Sequence, residues 1–183
     1  MTGPPAAVLL ELTRRYTEPH RRYHDIRHIA QMLAWGREVR LDDAQTLAVW
    51  FHDAIYDPRS KSNEEDSAAL ARQLLANGGH GDELVATVAR IVLDTKQHQP
   101  TIAASAKVLD LDLASLALPW PDFRANSDSI RAEYAHVGDA DFNAGRRAFL
   151  AGLLQRPRLF FTPWGQAREA AARTNVGRLL SEL

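Results

Sequence analysis

Apolar residues recur at helical spacing along nearly the whole chain, and period-two runs of β-branched residues are missing. Val8, Leu9, Leu12 and Tyr16 fall on one face of a 3.6-residue helix, and so do Ile29, Met32, Leu33 and Val39. Helices patterned this way bury their apolar stripes by packing on one another, so the expected fold class is all-α. Turn formers punctuate the pattern at Asp57-Pro58-Arg59-Ser60, Asn77-Gly78-Gly79, Gln97-His98-Gln99-Pro100, Leu118-Pro119-Trp120-Pro121, Val137-Gly138-Asp139 and Phe161-Thr162-Pro163-Trp164-Gly165. These breaks leave about eight or nine helical segments. A chain of 183 residues suits one domain, or one domain with a helical tail. The expected division is a core over 1–120 with a C-terminal helical part, 121–183, packed on it as one compact unit.

Two helix starts are legible in detail. One helix is expected from Asp42 to about Ile55, capped by Asp42 or Asp43, with Leu47, Ala48, Phe51 and Ile55 as its inward stripe and His52 and Asp53 in its last turn. The next is expected to begin at Asn63. Its side chain can cap, while Glu64, Glu65 and Asp66 complement the positive end of the helix dipole.

Composition removes several function classes. With no cysteine, any metal must sit on imidazole and carboxylate, which excludes thiolate zinc sites and disulfide frameworks. The 22 basic and 23 acidic residues balance to a net charge of −1, without the basic excess usual in binders of nucleic acid or anionic membranes. The opening Met1-Thr2-Gly3-Pro4-Pro5 lacks a basic n-region and the chain soon reaches Glu11, Arg14 and Arg15, so no signal peptide is expected. No apolar run approaches the roughly 20 residues of a membrane span, and the cytoplasm is the expected location.

The chemistry lies in histidines set beside carboxylates. Three of the seven histidines occur in Tyr23-His24-Asp25-Ile26-Arg27-His28 and Phe51-His52-Asp53-Ala54-Ile55-Tyr56-Asp57. Adjacent helix residues project about 100° apart, so His52 and Asp53 point differently, yet both can reach an ion lying off a helix end. Imidazole and a short carboxylate suit a borderline divalent cation such as Mn, Fe, Co, Ni or Zn.

A histidine, then His-Asp some two dozen residues on, then an aspartate in a later helix is the pattern of the HD-domain metal-dependent phosphohydrolases, which this sequence resembles. More closely, it is similar to a small bacterial family of predicted HD phosphohydrolases. Their run Tyr-His-x-x-x-His, Phe-His-Asp-x-x-Tyr-Asp, Asn-Glu-x-x-Ser-Ala appears as Tyr23 to His28, Phe51 to Asp57 and Asn63 to Ala68. Leu109-Asp110-Leu111-Asp112-Leu113, Ile130-Arg131-Ala132-Glu133-Tyr134, Gly145-Arg146-Arg147 and Ala172-Arg173-Thr174-Asn175 extend the likeness over most of the chain.

The resemblance implies an HD-type helical bundle holding one divalent ion, Mn, Fe, Co, Ni, Zn or Mg, on His28, His52, Asp53 and Asp112. Asp112 is preferred to Asp110, which lies on a different helix face. It further implies hydrolysis of a phosphoester or phosphoanhydride of a small molecule, with a nucleotide as the expected class, through attack by hydroxide formed on the ion. Asp57 or Glu64 would steer the proton. His24, Arg27, His98, Arg131 and Arg146 are the candidates for binding substrate, with Lys96 a further cation able to meet an anion.

Each of these residues has a plainer reading. His24, four residues before His28, has the spacing that puts both on one helix face and can chelate a metal; it is a ligand, a neighbour facing substrate, or merely structural. Thr95 and His98 sit before Pro100 at a helix end, near the pocket or simply in a loop. Arg131 and Arg146 can instead pair with Glu133, Asp139 or Asp141 to lock helices. Trp35, Trp50, Trp120 and Trp164 read as packing residues, and His20, His80 and His136 are assigned no role. HD enzymes that hydrolyse nucleotide pyrophosphates carry His-Asp-x-x-Glu-Asp, and Tyr56 replaces the first acid of that run here. The alternative is therefore a non-catalytic module that uses the metal to shape a nucleotide or second-messenger pocket. Monomer and homodimer stay open, since Val176, Leu179, Leu180 and Leu183 could pack internally or between copies.

Overall fold

In a computed structural model that describes residues 3–183, the chain is all-helical, with no strand among the described residues. Met1 and Thr2, which open the segment read above for a leader, lie outside the described residues. The helices are α1 (Ala6–Tyr16), α2 (Ile26–Val39), α3 (Asp43–Phe51), α4 (Asn63–Asn77), α5 (Asp82–Thr95), α6 (Ser105–Leu113), α7 (Trp120–Glu133), α8 (Asp139–Gln155), α9 (Pro163–Gln166) and α10 (Glu169–Glu182), with a 3₁₀ turn at Ala114–Ala117. Contacts divide the chain into two compact units, Met1–Leu109 and Asp110–Leu183.

In the first unit α3 is the central helix, packing on α2, α4 and α5, while α4 and α5 lie along each other. Its sequence explains the place: Gln45, Thr46, Leu47, Ala48, Val49 and Phe51 are all buried, and a short helix covered nearly all round belongs inside. Asp42 starts it with a reciprocal capping box, its carboxylate accepting from Gln45 N while the Gln45 side chain accepts from Asp42 N. Leu12, Tyr16, Ile29, Met32, Leu75, Ile91 and Leu109 complete the buried set.

One expected helix end and one expected cap differ, while α4 begins at Asn63 as expected. The helix starting at Asp42 stops at Phe51, with His52 as its C-cap, so His52 and Asp53 lie beyond the last turn rather than in it. Ile55 falls outside the helix and is only half-buried. Polar groups elsewhere take up the backbone released there: Ser67 Oγ accepts from Ile55 N at 2.9 Å, and the Arg21 guanidinium donates to the Asp53 and Ala54 carbonyls. Asn63 is the first residue of α4, not its cap. Its amide is used on the preceding loop, accepting from Asp57 N at 3.0 Å and donating to Asp57 O at 2.9 Å.

The second unit has its own core of Leu113, Leu116, Phe123, Leu150, Leu153, Leu159, Phe160, Ala172, Val176 and Leu179. Val176 and Leu179 are thus internal, with Leu180, Leu183 and Trp120 packed against that core. Polar side chains close the helix ends around it. Asn175 Nδ2 donates to the carbonyls of Leu116 and Leu118, and Arg173 donates to those of Leu154 and Arg156 and to Glu169.

Candidate metal centre

His28 enters from the first turn of α2. Asp25 caps that helix by accepting from Arg27 N at 2.8 Å, which sets where the first turn begins and so which way His28 faces. His52 and Asp53 enter from the turn that follows α3. Two segments far apart in sequence thereby bring three side chains to one place in the first unit.

The geometry is tight. His28 Nε2 lies 3.2 Å from His52 Nε2, and His52 Nε2 lies 3.0 Å from Asp53 Oδ2. All three ligand atoms fall within 4.8 Å of one another. His52 is 1% exposed and His28 8%, so little solvent reaches either ring.

Hydrogen bonding limits what His52 offers. Its Nδ1 lies 2.9 Å from the Val49 carbonyl, which can only accept, so Nδ1 carries a proton and, in the neutral ring, Nε2 is left to present a lone pair. That lone pair points toward a carboxylate oxygen and a second imidazole nitrogen. Bonds of about 2.0–2.2 Å to such atoms put neighbouring ligands about 3.0 Å apart at a right angle and about 3.4 Å apart at the tetrahedral angle. The observed separations of 3.2 and 3.0 Å lie within that range. The three residues could hold a metal ion, and the carbonyl behind His52 is the kind of outer partner that orients metal-binding imidazoles.

No family model, curated protein or solved structure matches this chain.

The remaining predicted residues distribute unevenly. His24 precedes the Asp25 cap, so it does not share a helix face with His28 as its spacing had suggested. The turn instead brings the two rings edge to face at 6.2 Å, with His24 packed on Tyr56 at 4.3 Å. Arg27 is exposed and paired with the capping carboxylate of Asp25 at 2.6 Å. Asp57 is exposed, and its carboxylate accepts from Arg59 N at 2.9 Å, holding the loop. Glu64 opens α4 3.8 Å from Lys96, whose ammonium is closer to Glu65 at 2.5 Å. That hydrogen bond holds the Glu65 carboxyl below its ordinary range. His98 adopts a left-handed backbone conformation, φ 47°, in the turn after α5, and Thr95 Oγ1 donates back to Val92 O.

In the second unit, Asp112 is half-buried on α6. Asp110, the rival for its role, is fully buried and engaged by three donors: Phe161 N, Thr162 N and Thr162 Oγ1, at 2.7, 2.8 and 2.6 Å. Burial still raises its carboxyl above the ordinary aspartate range, against the pull of those donors. Arg131 clamps Asp139 and the carbonyls of Tyr134 and Val137 with its guanidinium over the Phe142 ring, and Arg146 lies over Phe149.

Sequence reasoning missed three residues of the site. Tyr56, read as a lost acid, is a buried wall against His24. His20 sits 2.8 Å from the Tyr56 carbonyl, and Arg21 is buried beneath both turns. Only the density of aromatic and basic residues in 20–28 hinted at His20 and Arg21.

Proposed function

We propose that the protein is a metal-dependent phosphohydrolase acting on a small phosphorylated molecule, a nucleotide being the favoured class, in the cytoplasm. The observation that carries the reading is the convergence of His28 Nε2, His52 Nε2 and Asp53 Oδ2, with the His52 tautomer set by Val49 O. The likeness of the flanking text to HD phosphohydrolases supports it, and that likeness alone nominates Asp112 as fourth ligand. A divalent ion bound there would supply Lewis acidity toward a phosphoryl oxygen and lower the pKa of a water. The chain's part is to hold two imidazoles and a carboxylate in a nearly dry setting, where their charge and lone pairs act with little screening. The His24 ring lies 6.2 Å from that of His28 and 4.3 Å from that of Tyr56.

A second reading has a specific observation behind it. Asp57, the favoured proton-steering acid, has its carboxylate on Arg59 N, and Glu64 lies beside Lys96. A module that binds a phosphorylated ligand through the ion without turnover needs neither acid.

The test is metal analysis of wild type and a His52→Ala/Asp53→Ala double variant, with phosphate release measured on a nucleotide panel supplemented with Mn. Near one metal per chain, with metal and phosphate release both lost in the variant, establishes the hydrolase. Metal retained by a folded variant rejects the site, and metal lost with no wild-type turnover on any substrate selects the binding module.

A further inference from the structure

Arg21 is a buried cation of the first unit, 3% exposed overall. Its guanidinium is spent on backbone. Nη1 donates to His24 O and to Asp53 O, both at 2.8 Å, and Nη2 donates to Ala54 O at 3.1 Å. Nε donates to Glu18 at 3.1 Å, which balances the charge locally. The group also lies over the rings of Tyr16 at 5.0 Å and Tyr56 at 5.5 Å, which fix its plane.

A single nitrogen thus spans the two turns that matter. The His24 carbonyl belongs to the segment leading into α2, one residue before the cap that orients His28. The Asp53 carbonyl belongs to a ligand itself. Helix ends leave carbonyls without partners, and a planar fork of five donors can hold several of them in one rigid arrangement.

We propose that Arg21 is a positioning residue for the metal centre, fastening the turn before His28 to the turn carrying Asp53 so that the three ligand atoms meet. The proposal rests on the metal reading above. Lysine, with one point of attachment, cannot reproduce the spacing of the three carbonyls, so Arg21→Lys should fold yet bind metal more weakly. Outer partners of ligands are typically worth about 10–100-fold in metal affinity, and a loss of that size is expected.

The experiment titrates Co²⁺ into metal-free full-length wild type, Arg21→Lys and Arg21→Met, following the visible absorption band. Asp94→Asn is the control. Asp94 is buried in the same unit and holds Thr101 and Ser105, so it lowers stability without touching either turn. A weaker Co²⁺ dissociation constant and an altered band at saturation in Arg21→Lys, with Asp94→Asn like wild type, are the expected results. If Arg21→Met does not fold, the lysine variant carries the test. Unchanged affinity and band in Arg21→Lys, or an equal loss in Asp94→Asn, overturns the positioning role while leaving the metal centre intact. Failure of the wild type to bind Co²⁺ overturns both.

Discussion

The Nε2 atoms of His28 and His52 stand 3.2 Å apart, one ring carried by the first turn of α2 and the other by the C-cap of α3. Two imidazole nitrogens and a carboxylate brought this close could hold a shared cation. An ion that binds only the folded state at 100 times its dissociation constant adds about 2.7 kcal/mol of stability. Adding Zn or Mn to metal-free protein should therefore raise the thermal midpoint, chelation should reverse the rise, and His28→Ala should abolish it. An equal response in wild type and His28→Ala would remove this pair from the site.

Asp110 should matter for stability rather than for metal. Replacing it with Asn turns one acceptor into a donor facing backbone N–H groups of Phe161 and Thr162, and a buried unsatisfied donor costs about 1–3 kcal/mol. Denaturant unfolding of Asp110→Asn should show that loss with metal content unchanged. Reduced metal content in the folded variant would instead make Asp110 the ligand in place of Asp112.

The same carboxyl has a pH signature. Because burial raises its folded value above the ordinary aspartate range, the folded state binds the proton more tightly than the unfolded one. Its contribution to stability is then fully present below the unfolded value and is lost as pH rises through the folded value. Subtracting the Asp110→Asn curve from the wild-type curve of unfolding free energy against pH should leave a negative slope in that window. A positive slope there would contradict the raised carboxyl.

Gly165 touches the same aspartate. A Cβ at this buried position would overlap the Asp110 carboxylate and Phe160 Cβ, so Gly165→Ala must displace a packed loop. Overpacking of this kind costs about 1–3 kcal/mol, read as a lowered denaturation midpoint. An alanine variant as stable as wild type would show that the loop gives way freely.

In the first unit the capping box of α3 should be worth about 1 kcal/mol. Asp42→Ala removes its acceptor for Gln45 N at the end of the helix remote from His52. Stability should fall by that amount while metal affinity holds, and a matching fall in affinity would show that α3 moves as a rigid rod from cap to ligand.

Much of this was written in local sequence. Apolar spacing marked the helices, Asp42 with Gln45 marked one start, and the turn formers at Asn77-Gly78-Gly79 and Val137-Gly138-Asp139 fell between helices. The His-Asp text picked out three residues that do converge. Locally ambiguous features came out differently. Asn63 looks like a cap because its amide can reach its own helix, but the Asp57 loop offers it two hydrogen bonds instead. His24 has the spacing of a helical partner for His28, yet with Asp25 as cap the helix begins at Ile26, two residues too late.

What the sequence alone determined is what short-range physics governs: helical class, most breaks, and the identity of the histidines and carboxylate able to bind metal. Only tertiary structure decided where α3 stops and that Arg21 binds two turns together. Those outcomes depend on carbonyls and donors that become neighbours only when segments some thirty residues apart pack. No local propensity records which buried donor will meet which released carbonyl, because the partner is supplied by the fold.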